Sequence, residues 1–302
     1  MNSFRKRITS RCESAAAFVL VLGLLLAVAG CGALQNDANV PLPNYPPQLV
    51  TECYLEDGQV PRLAVTESVP YLNNNQAPPA GSQAIALPNG QRVLLPTDVT
   101  VTLILADGSR RNLPFQPGVD ARTNRFYTHG GGPALVAPPG ATFALEVRDQ
   151  RGRTVTGTAT VPTRVPIDSV DFEFNQLTGA NRKAYLLTNF RDPPGVGNYY
   201  RLLVHKSNVR TLAEVDYDVQ DRFNDGRPFT LGTGYDFASQ DTLIATLYHL
   251  DPAYYQFRAS TNEAINANGN PFAQPSSIRS TVQGGLGVFT VLSYDRRQVI
   301  LP

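Results

Sequence analysis

The sequence predicts a mostly β protein: two β-sandwich domains of immunoglobulin or transthyretin type, with one short helix in the second. Three observations carry this expectation. Gly and Pro number 24 each, so turn signals are frequent and long amphipathic stretches are scarce. Short runs rich in β-branched and aromatic residues recur throughout. The clearest, Asp98 to Leu105 (DVTVTLIL), sets Val99, Val101, Leu103 and Leu105 on one face and Thr100 and Thr102 on the other. Finally, VPTRVPID (Val161–Asp168) carries two prolines and divides the strand-rich chain into 49–162 and 163–302.

The first 30 residues stand apart. Arg5, Lys6, Arg7 and Arg11 precede an uncharged run from Ala15 to Ala29, which ends in Val28-Ala29-Gly30-Cys31. A basic patch, a short apolar run and small residues before a cut make a secretory signal peptide. The run is short for a membrane span, which needs about 20 residues. Cysteine directly after the small residues narrows the reading to a bacterial lipoprotein signal. What is known of such signals implies cleavage between Gly30 and Cys31 and acylation of Cys31. An ordinary signal peptide or an uncleaved anchor, with Cys31 incidental, is the blander alternative. Residues 31–48 contain Pro41, Pro43, Pro46 and Pro47 and no periodicity. They read as a tether biased toward polyproline II, reaching roughly 50 Å at ~3.1 Å per residue.

Domain 49–162 opens with LVTECYL and PRLAVTES as two strands, joined at Asp57-Gly58. The Pro- and Gly-rich stretch Val69–Gln91 reads as a long connection. The alternating strand from Asp98 closes at Asp107-Gly108, and further strands are expected at Arg125–Thr128, Thr142–Arg148 and Thr154–Val161. About seven short strands suit an immunoglobulin-like sandwich. In domain 163–302 the strands are SVDFEF, KAYLLTNF, NYYRLLVHK, RPFTL and DTLIATLYHL. Asp251 then suits an N-cap and Pro252 the first helical position, with the helix running to about 265. Gly269 and Pro271 end it. VFTVLSY and RQVIL read as a closing hairpin.

Composition excludes some classes. The formal charge of +1 includes four basic residues and Glu13 from the first 30. Without them, 22 basic face 24 acidic residues, so nothing favours nucleic acid or polybasic attraction to lipid. Of the three cysteines, Cys12 leaves with the signal and Cys31 takes the lipid, so Cys53 is left alone, without an internal disulfide partner. Its apolar strand context marks a buried small hydrophobe.

Chemical motifs are weak. His129-Gly130-Gly131-Gly132 resembles an oxyanion loop of lipases, but no Gly-x-Ser-x-Gly elbow exists in the chain, so a turn is the better reading. Asp216, Asp218, Asp221, Asn224 and Asp225 cluster within eleven residues. Calcium favours such oxygens, but the spacing is not an EF-hand. A solvated loop turning at Asn224-Asp225-Gly226 is preferred, with calcium binding left open. His129, His205 and His249 lack metal-ligand spacing. Gly284, Gly285 and Gly287 fit neither phosphate-binding glycine motif and read as a bulge or close backbone contact. Of Tyr254, Tyr255 and Phe257, at least two are expected to pack against the sheet. No catalytic, cofactor-binding or metal residues are assigned.

Five segments in order complete the reading: LVTECYL, VPIDSVDFEF, RFNDGRPFTL, LYHLDPAYYQF and NGNPFAQPSSIRSTVQGGLGVF. Together they resemble the uncharacterised Gram-negative lipoprotein family catalogued as domain of unknown function 4249. The departures are the NNNQAPPAGSQ insertion and the scarcity of acidic residues after Cys31, where only Asp37 is close. In related lipoproteins an acidic stretch there accompanies export to the cell surface. The resemblance implies two stacked β domains, attachment to the outer membrane, and association with TonB-dependent transporter barrels. The expectation is therefore an outer-membrane lipoprotein, non-enzymatic, acting as a binding or accessory subunit of such a transporter. Its ligand and the membrane face it occupies stay open. A structural or adhesive envelope lipoprotein, or a secreted hydrolase with an unrecognised acid pair, is the alternative.

Overall fold

The computed structural model describes residues 46–68, 78, 81–86, 92–96, 98–195, 197–223, 225–267 and 277–302. The expected signal segment, the Gly30–Cys31 cleavage site and the tether up to Tyr45 lie outside them. Among the described residues strand accounts for 52% and helix for 8%, so the protein is mostly β.

The strands follow the turn signals of the sequence closely. The first half contains β1 (Leu49–Glu56), β2 (Arg62–Glu67), β3 (Ser82–Ala86), β4 (Arg92–Pro96) and β5 (Val99–Ile104). It continues with β6 (Arg110–Asn112), β7 (Phe115–Val119), β8 (Phe126–Gly130), β9 (Thr142–Asp149) and β10 (Thr154–Thr160). The second half contains β11 (Ile167–Phe174), β12 (Ala184–Arg191), β13 (Tyr199–Lys206), β14 (Val215–Gln220), β15 (Pro228–Gly232) and β16 (Thr242–Leu250). Helix α1 (Pro252–Ala267), β17 (Val282–Gln283) and β18 (Leu286–Ile300) close the chain.

These strands form three sheets. Ten strands build the largest, in the order β14-β13-β16-β18-β1-β2-β4-β3, with β8 joining β2 and β7 joining β8. A five-stranded sheet runs β17-β10-β9-β5-β6, and a three-stranded sheet runs β11-β12-β15.

The last strand is a single 15-residue element and not the expected hairpin. Tyr294-Asp295-Arg296-Arg297 offers no Gly or Pro to turn on, so the chain runs straight through. Its first half pairs in parallel with β1, from Val50 opposite Leu286 to Glu56 opposite Leu292. Its second half pairs antiparallel with β16, from Ser293 opposite His249 to Ile300 opposite Thr242. One strand thus joins the opening of the chain to its C-terminal part.

Two hydrophobic cores lie against the large sheet. The first gathers Cys53, Leu55, Leu103, Phe143, Leu145, Phe289 and Val291, between the large sheet and the five-stranded one. The second gathers Ile167, Leu186, Phe190, Tyr200, Leu202 and Leu247, with Val299 packed beside it. Phe289, Val291 and Val299 are all odd-numbered along β18, so both cores touch the same face of that strand. Even-numbered Val288 and Leu292 point to the opposite face, where they meet Tyr254 of α1. Asp251 caps that helix as its position predicts, accepting from the amides of Ala253 at 2.6 Å and Tyr254 at 3.4 Å. Tyr255 and Phe257 pack into the same small cluster, whereas Ile265, near the end of the helix, is exposed.

The glycine cluster before β18 marks close backbone contact. A Cβ on Gly284 would stand 2.1 Å from the carbonyl oxygen of Thr154, and one on Gly287 2.0 Å from that of Thr51. Six strands, β3, β4, β6, β7, β14 and β17, escaped the sequence reading because their contexts are short, polar or broken. β3 lies in the segment read as a long connection, β4 directly follows it, and β14 lies in the acidic stretch.

Candidate functional site

The face of the large sheet that points away from both cores carries the polar chemistry. Period-two alternation on β1 turns Glu52, Tyr54 and Glu56 toward it, and on β18 Leu292, Tyr294 and Arg296. The β7–β8 turn folds over the β1 end of this face. Asp120 organises that turn. Its side chain accepts from the Arg122 amide at 2.8 Å and its carbonyl from the Asn124 amide at 2.7 Å, with Asn124 at φ 58°.

This geometry delivers two arginines to the sheet. Arg122 Nη2 lies 2.9 Å from Glu56 Oε1, and the Arg125 guanidinium lies 4.0 Å from the centre of the Tyr54 ring. Arg62 on β2 pairs with Asp120 at 2.7 Å and sits over the Tyr127 ring at 5.0 Å. Between these groups opens a cavity of about 390 Å³, walled by Tyr54, Arg62, Arg122, Arg125, Phe126 and Tyr127.

Burial alone would raise the Asp120 carboxyl, but hydrogen bonds from the Arg122 amide and from Arg62 outweigh it and hold it below the usual range. Burial would likewise ease proton loss from Arg122, and the hydrogen bond to Glu56 reverses that. Tyr54 is pushed up by burial first and by the Tyr254 and Glu52 charges next. Its hydroxyl therefore stays protonated and able to donate.

Chemically the cavity offers fixed cations, carboxylate acceptors and aromatic faces, the mixture that orients a polar ligand. Among the described residues its lining contains no Ser, Cys or His. Glu52 and Glu56 share a strand face four residues apart, about 13 Å along the strand, beyond the ~6.5–9.5 Å of an inverting acid pair. Asp120 is depressed, the opposite of what a general acid needs.

The acidic stretch does not form one loop. Asp216 and Asp218 lie on β14, where Asp216 binds Arg201 at 2.7 Å and Asp218 binds Arg258 of α1 at 2.8 Å. Asp221 and Asp225 instead converge with Asp192, from just after β12. One carboxylate oxygen of each lies within 4.8 Å of the other two. Oxygen donors at that spacing could hold a hard cation. They also staple loops: Asp192 accepts from Tyr200 and from the Gly226 amide at 2.8 Å. Asp221 accepts from the Asn198 amide at 3.1 Å and Asp225 from the Gly195 amide at 2.7 Å. Sequence reading missed Asp192 because it lies 29 residues before Asp221. Asn224 lies outside the described residues.

The remaining motif residues behave as packing. His129 is buried beside Phe115, with Thr128 Oγ1 at 2.8 Å from its Nδ1. Gly131 and Gly132 turn the chain at φ 132° and 80°. His249 bridges the Thr163 carbonyl at 2.7 Å and Asn198 Oδ1 at 3.1 Å. Cys53 is fully buried, and burial pushes its thiol up. His205 is the exception: it is buried, but its Nδ1 has no hydrogen-bond partner among the described residues.

Against known proteins, the model of a domain of unknown function (DUF4249) matches residues 35–298. The chain belongs to that family. No curated protein matches it. Among solved structures, a pullulanase complexed with maltotriose, from Anoxybacillus sp. LM18-11, aligns at 10% identity with a TM-score of 0.19. That alignment covers 66% of this chain and 24% of the pullulanase, and at such a score it carries no argument about fold or activity.

Proposed function

We propose that this member of the DUF4249 family is a lipid-anchored outer-membrane protein, non-enzymatic, that serves as a binding subunit beside a TonB-dependent transporter. The anchor is Cys31, exposed as a new N-terminus by cleavage after Gly30. One acyl chain holds a protein marginally, at ~0.8 kcal/mol per buried methylene, whereas several hold it stably. The tether of residues 31–48 then carries the β body away from the bilayer.

The observation that carries the binding reading is the aromatic- and arginine-lined cavity on the outer face of the ten-stranded sheet. Its charged groups are engaged with one another and fixed by the Asp120 turn, as suits recognition of a polar ligand. Among the described residues no helix is long and apolar enough to cross a membrane, which accords with attachment through a lipid.

The test is recovery of the intact lipoprotein from its own membranes in gentle detergent, followed by mass spectrometry. A transporter barrel in stoichiometric yield is the expected result. Well-recovered protein without a barrel would move the function to a structural or adhesive role in the envelope. In parallel, Cys31→Ser is expected to leave the chain uncleaved and out of the outer-membrane fraction. Normal processing and fractionation of that variant would sink the anchor.

A further inference from the structure

Beside the larger cavity, at the centre of the same face, lies a smaller one of about 130 Å³. Four guanidinium groups reach its wall: Arg122 and Arg125 from the β7–β8 turn, Arg201 from β13 and Arg296 from β18. Among the described residues, Glu56 is the one carboxylate in that wall.

The pairing of these cations is incomplete. Arg122 is matched by Glu56, and Arg201 by Asp216 just outside the wall. Arg125 and Arg296 make no ion pair among the described residues. Arg125 rests on the Tyr54 ring. Arg296 donates from Nε to Thr246 Oγ1 at 3.0 Å and lies 4.9 Å from the Tyr294 ring centre. Two guanidinium groups therefore bring charge to one spot with planar donors to spare.

A second observation points the same way. His205 lines this cavity and is buried, yet its Nδ1 finds no hydrogen-bond partner among the described residues. A buried polar atom without a partner is destabilising, and such an atom calls for an explanation. Burial keeps the ring neutral, and the nearby Arg296 and Arg201 charges add to that effect. A neutral imidazole adds a hydrogen-bonding group without adding another positive charge.

We propose that this smaller cavity binds an oxyanion, a phosphate or carboxylate group carried on a larger polar molecule. At roughly 30 Å³ per water, the cavity has room for about four waters, the scale of one such group. Guanidinium forks suit planar, bidentate recognition of these oxygens. The larger cavity shares Glu56, Arg122, Thr123 and Arg125 with the smaller one. It would take the remainder of the ligand against Tyr54, Phe126 and Tyr127.

This inference rests on the reading of the outer sheet face as the binding face, but not on the lipid anchor or the barrel. Calorimetric titration of the full-length protein in detergent, with inorganic phosphate and with citrate, tests it. At least one anion is expected to bind more tightly than about 1 mM. Preference for phosphate assigns a phosphoryl group, and preference for citrate a carboxylate. Arg125→Gln and Arg296→Gln should each weaken that binding tenfold or more. Arg110→Gln, on the five-stranded sheet, should leave it unchanged. If Arg296→Gln fails to fold for want of its Thr246 bond, Arg125→Gln decides alone. Wild-type affinity in a folded variant of either arginine, or no binding by either anion, overturns the proposal. Loss of the barrel from the pull-down would leave this result untouched, so the two readings fail separately.

Discussion

Glu56 is nearly buried at the end of β1, where its oxygens take Arg122 Nη2 at 2.9 Å and the Tyr294 hydroxyl at 3.3 Å. Such pairs hold the outer face in one geometry, and leaving either partner alone costs more than the pair contributes. Titratable groups on the core side set the acid limit of the fold. Burial lowers the His129 imidazole to about 4, although a hydrogen bond with the Val99 backbone acts in the other direction. An unfolded chain takes up that proton below about 6.5, whereas the folded protein waits until about 4. Stability from this group is therefore complete above pH 6.5 and declines as pH falls from 6.5 to 4. The decline is about 1.4 kcal/mol per unit, on the order of 3 kcal/mol in total. Asp295 acts in a lower window. Burial would raise its carboxyl, but Arg164 and the Ile167 amide hold it below the usual range. Its contribution is present above about pH 4 and lost as pH falls through the folded value. Denaturant melts of His129→Phe should therefore show a shallower loss of stability between pH 6.5 and 4 than wild type. An unchanged slope would contradict the assignment.

At the scale of elements, the junction of β1 with β18 decides the architecture. Gly287 sits at φ 117° with no room for a side chain, since a Cβ would lie 2.0 Å from the Thr51 carbonyl oxygen. Gly287→Ala must push the two strands apart and strain its own backbone. We expect a loss of several kcal/mol, read as insoluble protein or a large drop in Tm. A near-native melt would show that the parallel pairing is misplaced. This junction also shows what sequence reading can reach. GGLG was legible as close backbone contact, because glycine's use there is local. That the contact falls on β1, more than 200 residues earlier, was not legible, because strand pairing leaves no mark in either segment. The same limit hid Asp192 beside Asp221 and the two arginines delivered by the Asp120 turn. Asp251, which caps its helix through its own neighbours, was read correctly. The hairpin expected at the C-terminus failed for a different reason: two apolar runs suggested two strands, but no turn residue separates them.

Over the whole molecule, the large sheet divides its labour by face. Both hydrophobic cores, with the two smaller sheets, lie on one side. The other side keeps α1, the Asp120 turn and the two adjoining cavities. One polar, arginine-rich sheet face is suited to meeting a partner of complementary chemistry. The central claim is that this face does the binding. Its most direct test is photo-crosslinking in living cells, with a photoreactive residue at Thr123 in the cavity wall or at exposed Thr100 on the five-stranded sheet. The account predicts one defined adduct with an outer-membrane barrel from position 123 and none from position 100. No adduct from 123, or the same adduct from both positions, would contradict it.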